Sequence, residues 1–267
     1  MISTRDIRRK IKTIRNIQQL CRAMKTVSLV KLQKAEARLA AARPYASRMA
    51  QSLGQLSAAL AFEGEQSARR VLIVVTSDKG LAGGYNASLL RAALSETQEA
   101  PIIAIGRKGE RFFRRRGNEI LDSLVPLGTE PVLANVLPLA DRLAQQLRRG
   151  EISAIGAVYG HFLHGTRSEI ITRTIFPVEA PPQEAILEPE APQLAEMLLG
   201  RYLRAALYSI VLEASASEHG ARVAAMSAAS DNAEEMIDEL TMDYNRARQA
   251  IITKELSEIV SSAEALS

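Results

Sequence analysis

The apolar positions of the first segment, residues 1–58, recur at intervals of three and four residues. This spacing predicts one face of a single long helix, formed by Ile7, Ile11, Ile14, Ile17, Cys21, Met24, Val27, Leu32, Ala35, Leu39 and Ala42. Pro44 is expected to kink or interrupt this helix. At ~1.5 Å per residue, a helix of over fifty residues spans roughly 80 Å. Such a helix needs a partner helix along most of its length.

The hydrophobic pattern changes period in the middle segment, residues 69–178. Its β-branched runs, such as "VLIVV", lack polar alternation, which is typical of strands buried on both faces. Strands alternate with helices, and this predicts a small Rossmann-like α/β domain with a mostly parallel sheet. The predicted elements are strands at 71–77 and 102–106, helices at 84–98, 107–117 and 134–150, and a final strand pair, "AIGAVYGHF" and "RSEIITRTIF", with a loop at His164–Thr166.

Two further segments complete the chain. Residues 179–193 lie in a stretch with five prolines in seventeen residues, which predicts an extended linker. Residues 194–267 return to a helical pattern, and their apolar stripe is expected to continue the packing against the first helix: Met236, Leu240, Ile251, Leu256 and Ile259. We therefore expect an α/β fold with a long antiparallel α-helical coiled coil, formed by the N- and C-terminal helices, and the α/β domain between them.

Charge is distributed unevenly along the chain. Residues 1–48 carry 13 Lys/Arg and 2 Asp/Glu, a net charge of +11, whereas residues 190–267 carry 6 and 13, a net charge of −7. Opposite charges on the two terminal helices favour their pairing only modestly, because exposed ion pairs contribute ~0–1 kcal/mol each. The apolar face must therefore supply most of the stability of the pair.

Composition and the N-terminus argue against several classes of protein. The single cysteine, Cys21, excludes an internal disulfide and a cysteine-built metal site. No uncharged apolar stretch reaches ~18 residues, so no transmembrane helix is expected. The N-terminal residues lack the apolar core of a secretory signal, and the helical pattern begins almost at Met1, so neither a secretory signal nor a transit peptide is expected.

A glycine-rich stretch, "TSDKGLAGGYN", follows the first predicted strand and precedes a helix. Strand, glycine-rich loop and helix form the layout that binds nucleotide phosphates. However, the spacing of Gly80, Gly83 and Gly84 fits neither the phosphate-loop pattern nor Gly-x-Gly-x-x-Gly. The structural interpretation is a turn that needs positive φ angles, with Asp78 or Asn86 capping the next helix.

The remaining candidate sites are weaker. His161 and His164 have no third ligand nearby, so surface loop histidines are expected rather than a metal site. The basic first helix and Arg114–Arg116 suit nucleic acid or a membrane surface, but residues 1–44 contain no aromatic residue for base stacking, so a solvated face or an acidic protein partner is expected instead. No catalytic set is recognisable, and the acids of the last helix are expected to be exposed: Asp231, Glu234, Glu235, Asp238 and Glu239.

Two alternative functions stay open at this point. One is an α/β nucleotide-binding enzyme with coiled-coil arms. The other is a basic coiled-coil nucleic-acid-binding protein.

Three long motifs, in order, resemble one family, the gamma subunits of rotary F-type ATP synthases. The first helix contains the family's "AMK-VS--KL" core, and the glycine-rich stretch resembles its "SD-GL-GG-N" loop. The last helix contains "DNA", "YN-ARQA-IT-E" and "EIV" in the family's arrangement. The resemblance covers both ends strongly and the middle domain loosely.

The resemblance implies a central-stalk rotor subunit that carries no catalytic site and no cofactor. Its asymmetric coiled coil would turn inside a hexamer of alpha and beta subunits, which bind ATP, ADP and Mg. Its α/β domain would contact the epsilon subunit and the membrane rotor c-ring. The family implies a peripheral location on the cytoplasmic face of a bacterial plasma membrane, with no nucleic-acid partner.

Contact roles carry over where the motifs match. The resemblance assigns contacts with the alpha/beta ring to Met24, Lys25, Lys79, Gly80, Gly83, Gly84, Arg248, Gln249 and Thr253. For Met24, a place in the coiled-coil core is an equal alternative. The middle segment is short for the family, which weakens any assignment of epsilon and c-ring contacts. It also lacks a cysteine-bearing insertion, so no thiol regulation is expected.

Overall fold

A computed structural model describes residues 4–56, 69–97, 100–128, 130–178 and 190–264. Most of the predicted linker, residues 179–189, lies outside the described residues. The elements in chain order are α1 (Thr4–Gln55), β1 (Arg69–Val75), α2 (Tyr85–Glu96), β2 (Ile102–Ile105), α3 (Arg107–Arg116), β3 (Ile120–Leu124), α4 (Leu133–Arg148), β4 (Ile152–His164), β5 (Arg167–Phe176) and α5 (Ala191–Glu264).

The five strands form one sheet in the order β3-β2-β1-β4-β5. All neighbouring strands run parallel except β4 and β5, which pair antiparallel. The predicted mostly parallel sheet is therefore confirmed. β3 is the element that the sequence pattern missed. It is an edge strand whose residues alternate between half-buried and exposed, so it lacks the continuous apolar run of a central strand.

Successive residues of the central strands point to opposite faces of the sheet. On one face, Ile73 and Ile103 pack in a cluster with Leu139 of α4 and Leu203 of α5. On the other face, a separate cluster joins β1 to α2 and α3, through Leu72, Val74, Leu89, Ala93 and Phe113. The sheet is thus buried on both sides, which explains why its central strands are apolar without alternation.

Contacts divide the chain into two compact units. One unit contains the residues up to Val27 and those from Ala225 onward, and the other contains Ser28–Ala224. In the larger unit, Leu32, Ala35 and Leu39 of α1 pack in one cluster with Leu212 and Ala216 of α5.

Pro44 was expected to kink or interrupt α1, and an interruption is not observed, because α1 runs as one helix from Thr4 to Gln55. A proline inside a helix removes one hydrogen bond to the carbonyl four residues earlier. That carbonyl belongs to Ala40, and both Ala40 and Pro44 are exposed, so water can reach the site. The missing hydrogen bond therefore lowers the free energy of unfolding only slightly at this position.

In the smaller unit, α1 and α5 run antiparallel and share a line of polar contacts. Lys25 Nζ donates to Ser227 Oγ at 2.9 Å, and Arg22 Nε donates to Ser230 Oγ at 3.3 Å. Gln18 Nε2 donates to the carbonyl of Ser230 at 3.5 Å. Along the pair, higher residue numbers on α1 lie opposite lower residue numbers on α5. This order confirms the predicted antiparallel pairing.

The apolar face of this helix pair differs from the predicted one. Ile7, Ile11 and Cys21 are buried, but Ile17 is 49% exposed and Val27 is 54% exposed. Gln18 and Ser28 occupy the buried positions instead. The reason is that a helix has 3.6 residues per turn, so a stripe assigned from apolar residues alone drifts from the face that touches the partner.

In the predicted stripe of the last helix, only Leu240 is half-buried. Met236, Ile251, Leu256 and Ile259 are between 45% and 63% exposed. With residue 18 opposite residues 230–234, the equal rise of two helices places Thr4 opposite about residue 246. Beyond that point, α5 has no described α1 residue beside it.

Candidate functional site

The glycine-rich loop, residues 76–84, leaves the carboxyl end of β1 and is held at its start by buried hydrogen bonds. Thr76 Oγ1 is 3.2 Å from the carbonyls of Ile105 and Gly106, and it accepts a bond from the Gly109 amide at 2.8 Å. These contacts fix the loop against the carboxyl end of β2 and the first turn of α3. The loop therefore begins from a rigid base.

Asp78 fills the position where the fold could otherwise bind an anion. Its Oδ1 accepts a hydrogen bond from the amide of Arg107, the first residue of α3, at 3.0 Å. Its Oδ2 accepts one from the amide of Gly128, also at 3.0 Å. A helix N-terminus favours negative charge, and here the chain's own carboxylate supplies it.

The prediction that Asp78 or Asn86 caps the following helix is wrong. The residue before α2 is Gly84, which makes no side-chain cap. Asp78 bonds to α3 instead, and Asn86 bonds back to Ser77, whose amide donates to Asn86 Oδ1 at 3.1 Å. Local sequence shows that Asp and Asn can accept hydrogen bonds from backbone amides, but not which amides they reach in the fold.

The turn itself contains two residues with positive φ. Gly83 has a φ of 56°, as expected for a glycine in such a turn, whereas Gly84 has a φ of −79°. Leu81 has a φ of 64° although it carries a side chain. A left-handed conformation costs a non-glycine residue about 1–2 kcal/mol. Burial of the Leu81 side chain does not offset this cost, since Leu81 is 59% exposed, while its neighbour Ala82 is buried.

Arg222, on α5, holds the loop from the other side. Its Nε and Nη2 both donate to the carbonyl of Gly80 at 3.2 Å. Nη1 is 3.1 Å from His219 Nδ1, and Nη2 pairs with Glu218. Burial raises the pKa of the Glu218 carboxyl, while the neighbouring Arg222 acts in the opposite direction. His219 is itself buried.

Sequence reasoning did not single out Arg222. The available signal was local: Glu218, His219 and Arg222 lie within one turn of an Ala- and Ser-rich helix, where charged residues are sparse. A charged group in such a segment needs a partner if it is buried. The identity of that partner, a carbonyl 142 residues away, could not be inferred.

The crevice at the reversal of strand order is filled by side chains of the chain itself. In doubly wound sheets, ligands bind at the carboxyl ends of the strands where the order reverses, here between β1 and β4. Tyr85 reaches across to α5, donating from its hydroxyl to the Ala214 carbonyl at 3.3 Å, and Ser217 Oγ donates to the Gly160 carbonyl at 2.8 Å. Burial raises the pKa of Tyr85.

The two histidines of the His-x-x-His pair have different surroundings. His161 is not a loop residue: it lies on β4, and its Nδ1 is 2.6 Å from Glu213 Oε2. Arg43 approaches the same carboxylate at 3.6 Å. His164 ends β4 and is exposed, as expected. Within the ranges that the structure describes, no group of three or more His, Cys, Asp or Glu residues could hold a metal ion.

The proposed contact residues fall in both units. Lys79, Gly80, Gly83 and Gly84 are exposed on the loop of the larger unit. In the smaller unit, Met24 and Lys25 are half-buried, whereas the residues of the "ARQAIIT" motif are exposed on α5, namely Arg248, Gln249 and Thr253. The acids of α5 that were expected to be exposed are also exposed. Among the described helices, none is long and apolar enough to cross a membrane.

Comparisons with known proteins relate the whole chain to one group. A family model described as "ATP synthase" matches residues 3–266. The ATP synthase gamma chain of Moorella thermoacetica is 40% identical over 281 residues, with 100% of both chains covered. The ATP synthase gamma chain of Cupriavidus pinatubonensis is 38% identical over 291 residues, again with 100% of both chains covered.

Solved structures show the same fold. A chain in the Euglena gracilis mitochondrial ATP synthase (OSCP/F1/c-ring, rotational state 3) superposes with a TM-score of 0.73 at 16% identity, covering 98% of this chain and 94% of that one. A chain in the central stalk and c-ring of the Tetrahymena thermophila mitochondrial ATP synthase gives a TM-score of 0.61 at 22% identity, covering 79% and 99%. At these identities the likeness concerns the fold.

Proposed function

This chain belongs to the ATP synthase gamma chain family, and we propose that it is the central-stalk rotor subunit of an F-type ATP synthase. In this role it couples ion flow through the membrane rotor to ATP synthesis or hydrolysis on the alpha/beta hexamer, by rotation of its asymmetric coiled coil. The relatives matched over their full length bear this name. The observation that carries the proposal is the C-terminal part of α5.

That part of α5 exposes apolar side chains that nothing in the described chain covers. Ile251 and Ile252 are 45% and 46% exposed, and Leu256, Ile259 and Val260 are about three-fifths exposed. Contiguous exposed apolar surface in a soluble protein marks a binding surface for another protein. A helix that is apolar on more than one side suits a place inside a ring of partner subunits.

The proposal assigns catalysis and nucleotide binding to the partners, with no cofactor on this chain. Two observations support this division. Asp78 places a carboxylate at the N-terminus of α3, where a phosphate would be repelled, and Tyr85 and Ser217 fill the crevice between β1 and β4. The same observations disfavour the alternative of a nucleotide-binding enzyme. The chain would act by biasing the conformational equilibria of the catalytic subunits, each of which meets a different face of the rotor.

The proposed contacts with the alpha and beta subunits are formed by two sets of residues. Within the ring they are Met24, Lys25, Arg248, Gln249 and Thr253, of which the last three are exposed. At the foot of the rotor they are Lys79, Gly80, Gly83 and Gly84. Half-burial of Met24 is compatible with both a contact and a core role.

The remaining partners would be the epsilon subunit and the c-ring. The solved structures of similar fold come from a central stalk with its c-ring and from an assembly of OSCP, F1 and c-ring. We propose the same assembly for this chain, with a peripheral location on the cytoplasmic face of a bacterial plasma membrane.

The test is reconstitution of the purified chain with its cognate alpha and beta subunits. The wild-type chain should produce cooperative ATPase activity, and deletion from Arg246 onward should abolish it. Arg248→Ala combined with Gln249→Ala should weaken coupling while changing the free energy of unfolding by less than ~0.5 kcal/mol, because both residues are exposed.

Arg201→Ala is the matched control, since Arg201 is an exposed arginine of the same helix in the larger unit. ATPase activity that does not depend on this chain would refute the rotor proposal. Titration of the isolated chain with ATP and with duplex DNA tests the two alternative functions, and we expect no binding in either case.

A further inference from the structure

Arg222 is a buried cation that bonds to Gly80, His219 and Glu218 of its own chain. Its side chain is 7% exposed and that of its counter-ion, Glu218, is 13% exposed. Two of its nitrogens donate to one backbone carbonyl, that of Gly80. An arginine suits this task because its planar guanidinium can direct several donors at once in fixed directions, which a lysine ammonium cannot do.

The bonds of Arg222 and Asp78 hold the backbone beside an exposed apolar residue of the loop, Leu81. Asp78 ties the loop to α3 before Gly80, Arg222 holds the carbonyl of Gly80, and Ala82 is buried directly afterwards. Between these fixed points lies Leu81, with a φ of 64° and 59% of its surface exposed. Strained backbone conformations persist where the surrounding structure over-determines them, and they concentrate at functional positions.

We propose that Arg222 is a positioning residue that presents Leu81 as the apolar contact through which the loop meets the alpha/beta ring. The inference rests on the proposed rotor function and deepens it. Arg222 does not touch the partner. It fixes the loop to α5, so that turning α5 carries Leu81 with it. The partner surface that fits this contact is an apolar patch on a ring subunit, since an exposed leucine gains free energy by leaving water.

The test compares Leu81→Ala, Glu218→Gln/Arg222→Gln and the triple variant in the reconstituted complex. Both members of the ion pair are replaced together so that no unpaired carboxylate remains buried. Leu81→Ala should lower chain-dependent ATPase activation about fivefold, the size expected for loss of one important interface side chain. The double variant should lower it to a similar extent, and the triple variant no further, because both changes remove the same contact.

Hydrogen exchange on the isolated chain supplies an independent measurement. The amides of residues 79–84 should exchange faster in Glu218→Gln/Arg222→Gln than in the wild-type chain, while those of β1 and β2 stay protected. Arg204→Gln and Leu121→Ala are matched controls. Arg204 lies on the same helix as Arg222 and forms an exposed ion pair with Asp141 of α4, and Leu121 is an exposed leucine on β3. Neither should change loop exchange or ATPase activation.

The outcomes separate this inference from the rotor proposal. If the wild-type chain fails to activate the ring, the rotor proposal fails and this inference fails with it. If the wild-type chain activates the ring but Leu81→Ala behaves like Leu121→Ala, only the present inference is overturned. It is also overturned if loop exchange is unchanged without the arginine, or if the effects of the two sites on activation simply add.

Discussion

Gly160 on β4 is the position where a single added methyl group should most clearly disturb the packing of α5 on the sheet. A Cβ built at Gly160 would lie 2.8 Å from Ser217 Cβ and 2.8 Å from both Cε2 and the hydroxyl oxygen of Tyr85. Ser217 and Tyr85 are themselves buried. Gly160→Ala therefore forces apart the residues that close the crevice between β1 and β4.

The magnitude follows from these distances. Ordinary contacts of a Cβ lie at 3.4–4 Å, so three atoms must each move by at least 0.6 Å. Ser217 Cβ is attached directly to the backbone of α5, and the Tyr85 ring is packed, so neither can yield without moving its helix. Overpacking of this kind costs about 1–3 kcal/mol. Strain on the bonds Ser217 Oγ–Gly160 O and Tyr85 OH–Ala214 O adds up to about 1 kcal/mol each.

We therefore expect Gly160→Ala to lower the free energy of unfolding by about 2–4 kcal/mol and the Tm by roughly 5–15 °C. Urea and thermal unfolding followed by circular dichroism measure both quantities. Gly84→Ala is the control, because a Cβ there meets nothing within 4 Å and φ is −79°. The control should change stability by less than ~0.5 kcal/mol. Equal stability of the two variants would refute the packing argument.

Two further predictions concern other buried polar groups. Glu213→Ala should lower the free energy of unfolding by about 1–3 kcal/mol in urea titration, because it removes a buried partner of His161 and Arg43. The control is Glu196→Ala, which removes an exposed ion pair with Arg148 and should lower the free energy of unfolding by less than ~1 kcal/mol. Equal losses in the two variants would contradict a stabilising role for the buried Glu213 carboxylate. Burial raises the pKa of Tyr202 to about 12, whereas an unfolded tyrosine ionises near about 10. The free energy of unfolding should therefore be fully retained below pH ~10 and fall by roughly 1.4 kcal/mol per pH unit for this group up to about pH 12. Urea unfolding at several alkaline pH values measures this slope, which Tyr202→Phe should reduce and Tyr45→Phe, at an exposed tyrosine, should not; an unchanged slope in Tyr202→Phe would contradict the argument.

The features that the sequence could predict are those encoded in local periodicity. The long helices, the buried strands β1 and β2 and the β4–β5 pair each follow from a run of apolar residues with a recognisable period. β3 was missed because an edge strand is only half covered, so its residues carry little of that signal. Pro44 shows the limit of a local rule, since its effect depends on whether the orphaned carbonyl can reach water.

The contacts of the candidate site could not be predicted, because they join residues that are far apart in sequence. Asp78 was expected to cap the helix that follows it in sequence, but the amides that it binds belong to Arg107 and Gly128. Arg222 and Gly80 are 142 residues apart. Motif resemblance identified the loop as a candidate contact, whereas the side chain that projects from it, Leu81, required the backbone angles and exposure of the fold.

The pairing of the first helix with the last also constrains how the chain is made. Lys25 contacts Ser227, so the basic N-terminal helix emerges from the ribosome about 200 residues before its acidic partner. At synthesis rates of about 5–20 residues per second, the interval is roughly 10 to 40 s. During that time the α/β domain can fold, while the apolar face of the nascent N-terminal helix stays uncovered. Because of this order of synthesis, the N-terminal helix pairs with the last helix only late in translation, and a chaperone can bind its uncovered apolar face before then.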